Sequence, residues 1–352
     1  MFAPAIISLV GFVLAYFLFA RGQFLARKLN FVDKAGGRKE HVGAVPPIGG
    51  LVIIPVFIFC VVLARIVSGV WLVSWPVVAA VGAILVMGAV DDKCNLSARF
   101  RFFMQFVVAV FIVLLTQAKI TFLGPLFSPE NVYTSYLAIP FTVLCLVVLM
   151  NALNMLDGLD GLSGGWCMVV LLVFAGTAGA EERWPFVWAA LFMLGPLFAF
   201  LVFNMRHPWR RKAAIFMGDS GAMALALFIG WLVIRLSQAP LEHKFDYVLP
   251  PAAMIWILAV PIMDLFALFF VRIAQGRHPF SPDRLHFHYR ITDKGYAPEK
   301  TVPFMLLLTV LFSAIGIGGY LAGVAEYILM YLWIIILLAH TARSYLKYGR
   351  QK

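Results

Sequence analysis

The chain has 352 residues, of which 62% are hydrophobic and only 13% charged, with a formal net charge of +11. That balance excludes a water-soluble domain of this size and points to a polytopic membrane protein. The apolar runs are long and lack the alternation of barrel strands, so an all-α fold is predicted.

In chain order, spanning helices are predicted near 3–20, 47–67, 73–90, 102–118, 135–153, 164–181, 185–203, 218–236, 248–271, 301–321 and 327–343. That makes eleven, each close to the roughly 20 mostly apolar residues that cross a bilayer. The first has no cationic leader and no small-residue cleavage site, so it reads as a retained helix rather than a signal peptide. Cys60, Cys145 and Cys167 lie in apolar runs and Cys94 in a polar loop, a spacing that fits neither a metal nor a redox motif.

Loops taken alternately fall on two sides. One side receives 21–46, 91–101, 154–163, 204–217, 272–300 and the C-terminal tail, with 23 of the 28 Lys and Arg. The positive-inside rule makes that side cytoplasmic, with the N-terminus outside and the C-terminus inside. Nine of the ten aspartates lie on or near this side, all except Asp246, whereas Glu130, Glu181, Glu182, Glu242 and Glu326 fall on the other. A merely solvated surface would not sort Asp from Glu. A site would, because short carboxylates hold a metal or a proton in fixed geometry.

Five stretches on the charged side carry chemistry. "RKEHVGAVPPIGG" offers Arg38, Lys39 and His41 before a Pro-Pro turn and a Gly pair; alone it would pass as an ordinary basic loop. "DDKCNLSARFR" puts the adjacent carboxylates of Asp91 and Asp92 at a helix end, which suggests a divalent cation or a raised pKa, and Arg99 and Arg101 follow. "NALNMLDGLDGLSGG" places Asn151, Asn154, Asp157 and Asp160 three apart, a connected polar strip if the helix continues, followed by glycines that let a backbone approach a ligand. "IFMGDSG" sets Asp219 and Ser220 at a helix start, where an Asp acts as a plain cap or carries Mg²⁺ to a phosphate. "SPDRLHFHYR" gathers Asp283, Arg284, His286, His288 and Arg290. His286 and His288 share a face if the stretch is extended; two histidines without cysteine make a weak zinc site, and the cations suit a diphosphate better. Asp264, about two turns into the membrane, reads as the buried partner of a cation.

Carboxylates for a metal, cations for phosphates and glycines for close approach are the inventory of phosphoryl transfer. There is no G-x-x-x-x-G-K-[ST], so no P-loop. In order and spacing the five stretches resemble the polyprenyl-phosphate N-acetylhexosamine-1-phosphate transferases. The bacterial undecaprenyl-phosphate GlcNAc-1-phosphate branch is nearer, and the phospho-MurNAc-pentapeptide transferases are more distant.

The resemblance implies transfer of GlcNAc-1-phosphate from UDP-GlcNAc to undecaprenyl phosphate with release of UMP and with Mg²⁺ or Mn²⁺ as cofactor. The product would initiate a cell-envelope glycan such as O-antigen or enterobacterial common antigen. It implies one transmembrane transferase domain over 1–352, with motifs at 38–290 and C-terminal helices at 301–343, in the bacterial inner membrane, and it allows a homodimer. Asp219 would be a metal ligand with Asn154 beside it. Asp91 and Asp92 would deprotonate or position the lipid phosphate, or help hold the metal. Asp157 and Asp160 would shape the nucleotide site, with Asn204 among the substrate contacts. Arg38, Lys39 and His41 would line the nucleotide-sugar entrance, and Arg101, Arg284, His286 and His288 would hold phosphates or the sugar. Relatives carry H-x-H-H in the last motif, where this chain has Tyr289 at the third imidazole. That leaves the N-acetylhexosamine open.

Two other classes compete. Intramembrane acids and glycine-broken helices also suit a transporter, but no inverted repeat is evident and the polar groups gather at one face rather than the midplane. A scaffold does not explain the sorted aspartates. No motif implies a nucleic-acid partner, and the positive charge is accounted for by loops beside anionic lipid.

Overall fold

The computed structural model describes residues 2–28, 32, 45–94, 96–238, 247–279, 281 and 283–349. Thirteen helices lie in this part of the chain: α1 (Phe2–Lys28), α2 (Gly49–Ser68), α3 (Trp75–Cys94), α4 (Ala98–Thr116), α5 (Ala138–Leu156), α6 (Leu162–Ala180), α7 (Trp184–Asn204), α8 (Gly218–Ser237), α9 (Pro251–Ile257), α10 (Ala259–Ala274), α11 (Phe287–Thr292), α12 (Pro298–Leu321) and α13 (Glu326–Ser344). Among the described residues nine helices are long and apolar enough to cross a membrane, and the bent pair α9–α10 makes a tenth. The remaining predicted span, α3, is helical over 20 residues and carries Asp91, Asp92 and Lys93 in its last turn. The protein is a multi-pass membrane protein.

Local chemistry sets several helix ends. Ser97 caps α4 by accepting the Phe100 N–H at 3.3 Å, and α7 opens on Trp184-Pro185, where a missing N–H costs nothing. The predicted single helix over 248–271 is broken instead. α9 and α10 meet at a bend of 77°. Pro261 has no N–H to donate to the Ile257 carbonyl, so the ladder fails there.

α8 is the centre of the bundle and is buried along nearly its whole length. It packs on α2, α3, α5 and α6; α7 joins α1, α2 and α6 outside it; α10, α12 and α13 close the far side. Lipid tails are as apolar as the side chains, so such helices are held by van der Waals contact where small residues let them approach. Gly50 and Gly88 do this. A Cβ on Gly50 would overlap the backbone of Gly221, and one on Gly88 the backbone of Ser220. The N–H groups of Gly49 and Gly50 then reach the carbonyls of Phe216 and Met217 at 2.8 and 2.9 Å. α2 and α8 therefore begin, and α3 ends, at one point at the charged end of the bundle. The opposite end carries a short hairpin, β1 (Phe122–Gly124) and β2 (Val132–Tyr133), held by the Gln238 side chain.

Candidate active site

That meeting point brings together three of the predicted acids. The Asp92 carboxylate accepts the backbone N–H of Asp219 at 2.9 Å and of Ser220 at 3.4 Å. It thereby caps α8, whose own preceding residue, Met217, supplies no side-chain cap. Gly218 turns into the helix at φ +76°, a conformation that favours glycine. Asp91 is buried and accepts the Leu96 N–H at 2.8 Å, which folds the loop after α3 back onto it. Arg101 on α4 then places one nitrogen 2.8 Å from Asp91 Oδ2 and 3.2 Å from Asp219 Oδ2. Two carboxylates thus share one guanidinium nitrogen, and the third, Asp92, holds the backbone beside them.

One turn deeper, Gln105 on α4 accepts the Asn151 amide of α5 at 2.8 Å and donates to Met223 Sδ of α8 at 3.0 Å. This pins α4, α5 and α8 together beneath the acids. Asn154, the next position up that face of α5, is half-buried and takes part in none of these pairings.

A second assembly starts where α5 ends at Leu156. Asp157 accepts the Ser163 hydroxyl. Asp160 accepts Arg206 Nε at 2.8 Å and the Ala213 N–H at 3.2 Å. Asn204 ties the same turn to the next loop: its Oδ1 accepts the Gly161 N–H at 2.7 Å and its Nδ2 donates to the Ile215 carbonyl at 2.8 Å.

The stretch from Asp283 to Arg290 docks on this turn. Arg272 is fully buried and holds Asp283 through two nitrogens, at 2.9 and 3.1 Å, and the Pro279 carbonyl at 2.7 Å. Burial alone would raise Asp283, but the Arg272 hydrogen bonds and the Leu285 N–H outweigh it and hold the carboxyl below its ordinary value. His286 Nδ1 lies 2.8 Å from Asp264 Oδ2, and its Nε2 lies 3.3 Å from Arg272. A guanidinium only donates, so Nε2 accepts and Nδ1–H points to Asp264. His288 is wholly buried, and neither of its ring nitrogens has a hydrogen-bond partner among the described residues. Burial pushes it down to about 3, so it is neutral at physiological pH. Its Nε2 lies against the bare Cα of Gly158, where a Cβ would overlap it. The Tyr289 hydroxyl donates to the Gly158 carbonyl at 3.2 Å, and Arg284 lies 4.7 Å over the Tyr289 ring.

The model of glycosyl transferase family 4 matches residues 74–237. A probable undecaprenyl-phosphate N-acetylglucosaminyl 1-phosphate transferase of Bacillus subtilis (strain 168) is 32% identical over 294 residues, covering 82% of this chain and 77% of that protein. The chain belongs to glycosyl transferase family 4. The undecaprenyl-phosphate alpha-N-acetylglucosaminyl 1-phosphate transferases of Salmonella typhi and Escherichia coli (strain K12) are each 27% identical, covering 94% of this chain and 87% of theirs. The matched segment of this family 4 transferase contains Asp91, Asp92, Arg101, Asn154, Asp157, Asp160, Asn204 and Asp219, and ends before the histidine stretch.

The family 4 chain groups its predicted residues in a way the sequence did not show. Asp91, Asp92, Asp219 and Arg101 form one cluster. Asp157, Asp160 and Asn204 form another, which meets His288 and Tyr289 at Gly158. The polar strip is not continuous, because α5 stops at Leu156 and Asp157 and Asp160 lie on the turn that follows. The histidine stretch is not extended but opens α11; the two rings still stack, 5.7 Å apart and 13° from parallel. Arg38, Lys39 and His41 lie outside the described residues. Sequence reading missed Arg206, Arg272 and Gln105, which hold the acids and the histidine stretch in place. A lone Arg or Gln in an apolar run was the only signal for the last two.

Among the described residues no three His, Cys, Asp or Glu side chains form a ready metal cage. Mg²⁺ does not need one: it is commonly held by one or two carboxylates, water and substrate phosphates. Asp91 and Asp219, hard oxygen donors already facing one cationic nitrogen, fit that demand.

Proposed function

We propose that the protein transfers GlcNAc-1-phosphate from UDP-GlcNAc to undecaprenyl phosphate at the cytoplasmic face of the bacterial inner membrane, with Mg²⁺ or Mn²⁺. The acid cluster spanned by Arg101 carries this reading, because it stands where helices leave the membrane and a lipid phosphate can meet a soluble nucleotide. The names of the relatives, matched over most of both chains, supply the substrates.

In this reading an oxygen of the lipid phosphate attacks the β-phosphorus of UDP-GlcNAc. The new P–O bond forms as the bond to the α-phosphate oxygen breaks, and UMP leaves with the electron pair. Asp219 and Asn154 would hold the cation, whose charge would neutralise the diphosphate. Arg101, which faces both Asp91 and Asp219, would anchor the lipid phosphate. Asp91 then orients the phosphate or takes its remaining proton. Asp92 fixes the Asp219 backbone and so the direction of its carboxylate. The Asp157–Asp160 turn, Arg284 and the histidine stretch bound the nucleotide-sugar side.

The test is UMP release by purified protein with undecaprenyl phosphate, Mg²⁺ and UDP-GlcNAc. Lipid-dependent release, lost with Asp219→Ala and with a chelator, is the expected result. Release only with another UDP-N-acetylhexosamine would keep the chemistry and change the sugar, an alternative that Tyr289 at the third imidazole position leaves open. No release with any UDP-sugar from folded protein would sink the transferase reading in favour of transport.

A further inference from the structure

The segment after α7 carries a surface that this reaction does not use. His207 and Arg210 exchange backbone hydrogen bonds at 3.0 and 2.8 Å, closing a tight turn over Pro208 and Trp209. Trp209 stands at its tip, 92% exposed. Arg210 lies 5.2 Å over the Phe203 ring of the last turn of α7, and Arg211 and Lys212 follow, both exposed. An exposed Trp beside cations, directly where a span ends, is the composition of a membrane–water interface that faces anionic headgroups.

Below this turn runs an apolar groove of about 290 Å³ between α6, α7 and α12. Met168, Leu172, Phe198, Leu201, Met205 and Leu306 line it, and His207 stands at its rim. Leu172 and Phe198 are more than half exposed, so the groove opens outward to the lipid. A soluble nucleotide has no use for such a groove, and an acyl chain does. None of its lining residues lies on α3, α4 or α8, the helices that carry the acid cluster.

We propose that an anionic phospholipid docks here, one acyl chain in the α6–α7–α12 groove and its phosphate among Arg210, Arg211 and Lys212. The turn is not isolated from the candidate site. Asp160 accepts both Arg206 Nε and the Ala213 N–H, one residue from either end of the His207–Lys212 segment. A lipid that steadies the cationic turn therefore steadies the Asp157–Asp160 loop. This inference rests on the membrane fold and the groove, and it holds whatever sugar the enzyme uses.

Native mass spectrometry of the full-length protein with equal phosphatidylglycerol and phosphatidylcholine tests it. Each cation near an anionic surface contributes about fivefold in binding. The wild type should hold phosphatidylglycerol at least tenfold over phosphatidylcholine. The Arg210→Gln, Arg211→Gln, Lys212→Gln triple variant should lose most of that preference while its thermal midpoint in phosphatidylcholine stays unchanged. Val202 also lines the groove, and Val202→Trp, which fills it with every charge kept, should weaken the same binding. Equal binding of the two lipids, or a triple variant that keeps its preference, overturns the proposal. So does one-for-one displacement of phosphatidylglycerol by undecaprenyl phosphate, which would make this an acceptor site, or by excess inorganic phosphate, which would make it a plain anion site.

Discussion

Asp92 caps a helix that is not its own: its carboxylate accepts the N–H of Asp219, 127 residues away in the sequence. The acid at the end of α3 thereby fixes the acid at the start of α8. Removing the acceptor should cost about 1 kcal/mol of stability. Asp92→Ala is expected to lower the thermal midpoint in detergent, and Asp92→Asn, which keeps an oxygen in the same place, to restore most of it. An equal loss for both would show that the charge, not the cap, is what α8 needs.

Asp219 should behave in the opposite way. It shares one cation with Asp91 and lies beside Asp92, so three negative charges outnumber the guanidinium. Neutralising one relieves repulsion, which is how a site built for function spends stability. Asp219→Asn is expected to melt no lower than wild type while UMP release falls by at least a hundredfold. A variant that unfolds would assign Asp219 to the fold.

Arg272 is fully buried, with Asp283, His286 and the Pro279 carbonyl all within reach of it. Breaking a buried pair by removing one partner costs about 3–5 kcal/mol, because the other charge is stranded. Arg272→Met should destabilise by that order in a denaturation series. Arg272→Lys, unable to hold Asp283 through two nitrogens, should recover only part of the loss.

Acid should weaken the fold through His288. Its folded value, about 3, lies below the ordinary 6.5 because burial penalises the cation. Between these values the unfolded chain binds the proton and the folded one does not, so stability falls as pH falls through 6.5. Asp283, held below its ordinary value, adds a loss of the same sign at lower pH. From pH 7.5 to 5 the imidazole alone should cost about 2 kcal/mol. Thermal midpoints across that range check it, and His288→Gln should flatten the slope.

Much of this was legible in the sequence because membrane composition leaves few choices. Apolar runs gave the spans, and paired Asp, Gly and Arg gave the residues of the acid cluster. What could not be read was pairing across long separations. Nothing near Asp92 in the sequence shows that it caps α8, and nothing near Asn204 shows that its amide joins the 161 turn to Ile215. The break between α9 and α10 follows from Pro261, a local signal outweighed by the hydrophobicity around it. His286 was read as a group for substrate because imidazoles in a polar loop suit phosphates. The fold instead engages both its nitrogens, with Asp264 and Arg272, a pairing set by helix packing rather than by any neighbour in the chain.

The contact of Gly50 with Gly221, and of Gly88 with Ser220, has a consequence for change in this enzyme. Where side chains meet, one can grow as its partner shrinks, and a pocket can drift in size over many substitutions. Here backbone meets backbone, and there is nothing left to trim. The spacing of the acids is therefore a fixed gauge, and a broader choice of donor or acceptor has to be made in the loops around it.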